Sequence, residues 1–171
     1  VPDWFALRSH PGLVRPENED RVLIARWVDR GEPAWLVALA DGIGSGKAAA
    51  DAAAIVLGRF VGAVIDGRRG VELRLEDAAH EANRAVFNRW RGKEGATLSA
   101  AMVRGRQTML VNVGDSRIHG IDREDELVLL TKDDVLPSIS GLLQFVGMGK
   151  DLVPHVLPID SRFVRALLTS D

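Results

Sequence analysis

Near Ala96 the apolar residues of this chain stop recurring every three or four positions and begin to alternate, and that change of period limits the layers the chain can build. Ahead of the change, Glu72 to Trp90 sets Leu75, Ala78, Ala79, Ala82, Val86 and Trp90 on one helical stripe, with Glu72, Glu76, Glu81, Arg84 and Arg89 elsewhere. Lys47 to Ile65 reads as a second helix, with Ile55, Phe60 and Val64 on its apolar face and Gly67 past its end. Behind the change, strands are expected at Ala96 to Val103, Gln107 to Val113, Arg117 to Ile121 and Glu126 to Thr131. The turns between them are short, which predicts an antiparallel meander.

Arg21 to Val28 and Ala34 to Ala40, joined across Asp29 to Pro33, read as a hairpin; Lys132 to Pro158 reads as irregular, and Arg162 to Thr169 as a last strand. Strands, two helices and strands again predict an α+β layered fold. With 171 residues, 46% of them apolar, the chain is sized for one domain over residues 1–171. A net charge of -2 gives no global reason to expect nucleic acid or an acidic membrane surface as partner. There is no cysteine, hence no thiolate metal site or cysteine nucleophile, and a cytoplasmic setting is expected. Charge or glycine breaks every apolar stretch before about 18 residues, so no membrane span is expected, and the N-terminus lacks a signal-peptide pattern.

Four blocks end apolar runs with carboxylates: Arg15-Pro16-Glu17-Asn18-Glu19-Asp20, Ala40-Asp41-Gly42-Ile43-Gly44, Asn112-Val113-Gly114-Asp115-Ser116-Arg117 and Leu168-Thr169-Ser170-Asp171. Converging, they would make an oxygen-lined pocket for a hard divalent cation, which points to metal-assisted hydrolysis. Each block also has a plainer use. Asp41 either caps the following helix or offers a ligand beside the exposed carbonyl of Gly42, and Asp115 sits where turns favour Asp. Glu19 and Asp20 are adjacent in an extended stretch, so they point to opposite sides and one of them acts from behind the other. Arg15 could supply a fork for two phosphate oxygens, although Arg15, Glu19 and Asp20 taken singly each read as surface charge. The stretch Asp41 to Lys47 is not a P-loop, because Asp41 and Ala48 stand where Gly and Ser or Thr are needed. His10, His80, His119 and His155 form no nucleophile pattern, and Trp4, Trp27, Trp35 and Trp90 read as core.

In this order the blocks resemble the metal-dependent type 2C serine/threonine protein phosphatases, particularly the bacterial ones. Gly95-Ala96-Thr97-Leu98 and Leu130 to Asp134 resemble two further family motifs, and the last block, taken from Leu167 to Asp171, matches the family's closing one, so the resemblance spans nearly the whole chain. It implies a sandwich of two antiparallel β-sheets flanked by α-helices. It also implies two Mn²⁺ or Mg²⁺ ions bridged by Asp41, with Gly42 contributing its carbonyl, Glu19 and Asp20 completing the second ion's shell through water, Asp171 on the first ion and Asp115 on a third, weaker site. Arg15 would bind the substrate phosphate. The implied reaction is attack by a metal-bridging water on phosphoserine or phosphothreonine in a protein substrate, opposite a cognate kinase.

The chain departs from the family pattern at Ile43, Ser45 and Ala96, and in three places that bear on function. Nothing follows Asp171, where the family continues to a further metal-binding Asp; Asp134 stands where a His is usual; and Lys132 to Pro158 is short where the family has a flap. These departures leave a competing expectation, a regulatory or binding module that keeps the fold without a full metal centre.

Overall fold

The computed structural model describes residues 5–13, 16–44, 46–136 and 141–170. Strands β1 (Arg21–Asp29) and β2 (Glu32–Ala40) form the expected hairpin, but its turn is only Arg30 and Gly31, with φ of 52° and 84°. Two successive positive φ angles match the twist of a two-residue hairpin, which is why the connection is shorter than the Asp29 to Pro33 expected from sequence. Pro33 lies within β2 opposite Val28, outside the stretch paired on the other side, which begins at Ala34, so its missing N–H breaks no rung there.

The short β3 (Gly42–Ile43) leads into α1 (Gly46–Asp66), and α2 (Val71–Trp90) returns beside it. There follow β4 (Gly95–Ala96), β5 (Leu98–Arg104), β6 (Gln107–Val113), β7 (Arg117–Ile121), β8 (Leu127–Leu129), β9 (His155–Pro158) and β10 (Arg165–Thr169). One sheet has the order β1-β2-β5-β6-β9 and a second the order β10-β7-β8, while β3 pairs with β4; all pairs are antiparallel.

Three expectations are corrected. The meander is interrupted, because residues 114–116 carry the chain from β6 in the larger sheet to β7 in the smaller one. The stretch read as irregular contains β9, an edge strand whose Pro158 is tolerated there. The span expected from Ala96 to Val103 divides at Thr97 into β4 and β5.

Alternation along the strands explains the layers. Leu36, Ala38 and Ala40 of β2, Leu98, Ala100 and Met102 of β5, and Met109, Val111 and Val113 of β6 face the helices. Across from them α1 contributes Ala52, Ala53, Val56, Leu57, Phe60 and Val64, and α2 contributes Leu75, Ala78, Ala79, Ala82 and Val86. Ile55 and Trp90, expected in these faces, are only half-buried at the rim. On the opposite face Ala101 and Leu110 pack with Ile118 of β7, joining the two sheets. The α1 sequence is long and apolar enough to span a membrane by composition, contrary to the sequence expectation, because its many Ala and Val residues outweigh its few charges. In this fold its apolar side lies in the core.

At the hairpin-turn end, Arg74 of α2 donates from two nitrogens to both oxygens of Asp29, each at 2.9 Å, with the two side chains 1% and 8% exposed. The Arg74 hydrogen bond, outweighing burial, holds the Asp29 carboxyl below the ordinary carboxylate range.

Candidate metal centre

The candidate residues collect at the other end of the larger sheet, and strand register puts them there. Arg21 lies opposite Ala40, so the next residues outward, Asp20 and Asp41, leave the sheet at one end. Leu39 lies opposite Ser99, which sets Thr97 next to that exit, and Leu98 opposite Val113 does the same for Gly114. Asp20, Asp41, Thr97 and Gly114 thus follow one another across the ends of β1, β2, β5 and β6, and Asp115 comes next.

Close packing holds this row together. A Cβ on Gly42 would stand 2.5 Å from the Ala49 carbonyl oxygen of α1 and 3.0 Å from that of Glu19, so only glycine lets the Asp41 loop pass between them. Thr97, buried, accepts the Asp41 amide N–H at 2.9 Å and shares a 2.7 Å hydrogen bond with the Ser116 hydroxyl, while its own N–H donates to the Asp41 carbonyl. Glu19, also buried, accepts the Gly46 N–H at 2.6 Å, which places a carboxylate at the positive end of α1. Asp20 instead accepts the Ser170 hydroxyl at 2.8 Å, tying the end of β10 to the start of β1. The neighbouring carboxylates therefore engage different partners, as the alternation of an extended chain requires.

Glu19, Asp20, Asp41, Gly42 and Asp115 all line one open cleft, together with Thr97 and Ser170. The same cleft is also lined by His10, Arg117 and His119. Arg117 is held by Asp133 at 2.5 Å, which keeps that carboxyl below its ordinary range. Asp133, with a further contribution from Asp115, makes the guanidinium still harder to deprotonate. Arg15 and Asp171, expected at the substrate phosphate and the first ion, lie outside the described residues, as do Ser45 and Trp4. Trp27 and Trp35 are half-buried, Trp35 in contact with the Phe5 ring and with the Arg26 guanidinium.

Sequence reasoning missed the braces. Thr97 entered only inside a motif match, and Ser116 and Ser170 only as neighbours of acidic residues; their signal was position beside a carboxylate at a strand end. Asp134, His155 and Gln144, which meet behind the Asp115 turn, gave no signal beyond the oddity of Asp134.

The donor set suits a hard divalent cation, being carboxylate and carbonyl oxygen gathered at one cleft. Among the described residues no three His, Asp or Glu side chains are grouped tightly enough to hold an ion by themselves. Such a cleft fits Mg²⁺ or Mn²⁺ kept largely hydrated, since Mg²⁺ typically takes one or two carboxylates and retains several waters.

Comparison with known proteins agrees with this architecture. A family model described as protein phosphatase 2C matches residues 16–142. The serine/threonine protein phosphatase PstP of Mycobacterium tuberculosis is 35% identical over 137 residues, which is 76% of this chain and 25% of that protein. The chain therefore spans about a quarter of the length of the curated relatives it matches. The crystal structure of M. tuberculosis PstP/Ppp has a TM-score of 0.74 and 28% identity, covering 94% of this chain and 75% of that one. The PstP catalytic domain in complex with two manganese ions has a TM-score of 0.71 and 29% identity, covering 91% and 71%. The extent of the family match, the shared layers and the ordered acidic strand ends lead to one assignment: the chain belongs to the protein phosphatase 2C family.

Proposed function

We propose that this chain carries the catalytic machinery of a metal-dependent serine/threonine protein phosphatase. The observation that carries the reading is the row of residues along four adjacent strand ends, with the carboxylates of Glu19, Asp20, Asp41 and Asp115 and the basic Arg117 all lining one cleft. The relatives' names and the manganese complex of the PstP catalytic domain support it.

Asp41 would be shared between two Mn²⁺ or Mg²⁺ ions, with the Gly42 carbonyl, Glu19 and Asp20 on one and Asp171, next in sequence to Ser170, on the other; Asp115 would hold a third, weaker ion. Bound there, the ions would supply activation of a water and neutralisation of charge on the phosphoryl oxygens. The protein's own contribution is placement. Thr97 fixes the Asp41 backbone, Ser170 orients Asp20, and Glu19 joins the metal side of the cleft to α1. Arg15 would orient the phosphate of a phosphoserine or phosphothreonine, so that the nucleophile meets phosphorus in line. The substrates are phosphorylated proteins, placing the chain opposite a serine/threonine kinase.

Phosphate release from a phosphothreonine peptide, followed across a Mn²⁺ titration with an EDTA control, tests the reading. Turnover that rises with Mn²⁺ and vanishes in EDTA is expected. A correctly folded chain with no turnover at any Mn²⁺ concentration would shift the reading to the regulatory module.

A further inference from the structure

Behind the Asp115 turn lies a buried polar cluster that the proposed chemistry does not use. Asp134 is 7% exposed. Its Oδ2 accepts the Gly114 N–H and a Gln144 amide hydrogen, both at 2.9 Å, and its Oδ1 lies 2.8 Å from His155 Nε2. Gln144 spends its other hydrogen on the Val153 carbonyl at 3.0 Å and accepts the Val153 N–H at 2.9 Å. Gln144 Nε2 also lies 3.2 Å from His155 Nε2, but its two hydrogens are taken by the shorter bonds, so His155 Nε2 is assigned as the donor to the Asp134 carboxylate.

The backbone of Asp134 works on the same turn. Its N–H donates to the Gly114 carbonyl at 3.0 Å, so both polar groups of Gly114 are held by one residue. That carbonyl belongs to the peptide joining Gly114 to Asp115, and fixing its plane fixes the direction in which Asp115 leaves the strand. Gly114 has little freedom of its own, with φ at 98° and Thr97 packed so that a Cβ would stand 2.8 Å from its Cγ2. On the far side of Asp115, Ser116 is tied to Thr97. Asp115 is therefore bracketed between two anchored residues.

We propose that Asp134, oriented by His155 of β9 and by Gln144, is a positioning residue that aims the Asp115 carboxylate at its divalent cation. The proposal rests on the metal reading of Asp115 given above.

Its test is Mn²⁺ binding, read from the electron paramagnetic resonance signal of the free ion, in the wild-type chain and in Asp115→Asn, Asp134→Asn and the double variant. The difference between wild type and Asp115→Asn defines the Asp115-dependent binding. Asp134→Asn is expected to weaken that component about tenfold or more, the usual cost of losing a partner behind a ligand. The double variant should bind as Asp115→Asn does. A folded Asp134→Asn with unchanged Asp115-dependent affinity overturns the proposal, as does an equal loss in the Asp115→Asn background. If Asp134→Asn shows no cooperative melt, His155→Ala takes its place, since that side chain is 42% exposed and leaves little cavity. It should lower the same component, His155→Gln should recover most of the loss, and an unchanged affinity in His155→Ala overturns the proposal. If wild type and Asp115→Asn bind alike, the metal assignment of Asp115 fails and this inference falls with it, a result distinct from the others.

Discussion

A single hydroxyl, that of Thr97, holds the Asp41 amide on one side and the Ser116 hydroxyl on the other. Thr97→Val keeps the shape and removes both bonds, leaving buried polar groups unpaired, so a loss of about 1–3 kcal/mol in a urea unfolding experiment is expected. A loss near zero would mean that water replaces the hydroxyl. Asp41→Asn is a different kind of change: it removes a charge from a half-buried, cleft-facing position, so phosphatase turnover should vanish while the metal-free melting temperature moves little. Turnover near the wild-type level would exclude Asp41 from the metal centre. The carboxylates that line the cleft stood out in the sequence because each borders an apolar run, where a charge is conspicuous. Thr97 did not, because its partners lie 56 and 19 residues away and a buried hydroxyl leaves no periodic trace.

Among the elements, both helices and most strands were readable because each carries enough turns or alternations to show its period. The hairpin turn was misjudged because Pro33 and Gly31 together suggested a long connection, and only the backbone angles at Arg30 reveal the tight one. Strand β9 was hidden by Pro154 and Pro158 at its borders, and the β6 to β7 passage imitates a hairpin in sequence while changing sheets in space. Another feature of this scale is the Asp29 and Arg74 pair, which fastens α2 to the hairpin. Because the pairing lowers the Asp29 pKa in the folded state, its stabilisation is fully present above the unfolded carboxylate value, about 3.9, and is lost as pH falls through the lower folded value. Asp29→Asn, which leaves Arg74 charged and buried, should cost about 3–5 kcal/mol near neutrality and flatten the acid limb of the stability curve below about pH 4. Urea titrations at several pH values measure both; a parallel acid limb in the variant would assign the acid sensitivity to other carboxylates.

For the whole molecule, the proposed metal centre would link metal binding to folding, since an ion held by strand ends from both halves of the chain would bind the native state and not the unfolded one. Mn²⁺ at about 100 times its dissociation constant should add about 2.7 kcal/mol, or roughly 5–10 °C in melting temperature. EDTA should reverse the shift, and Asp41→Asn should show little of it. Equal melting curves with and without Mn²⁺ would argue against a metal centre. The layered fold itself was legible from the order of periods, while the way two sheets share one cleft was not, because it depends on pairings between remote segments. The hydrogen bond from Ser170 to Asp20 joins residues 150 positions apart, and the row beside it draws on segments near residues 20, 41, 97 and 115. A cleft assembled from segments this far apart exists only once all of them have been made and packed together, so partial folding of this stretch leaves the groups that line it scattered.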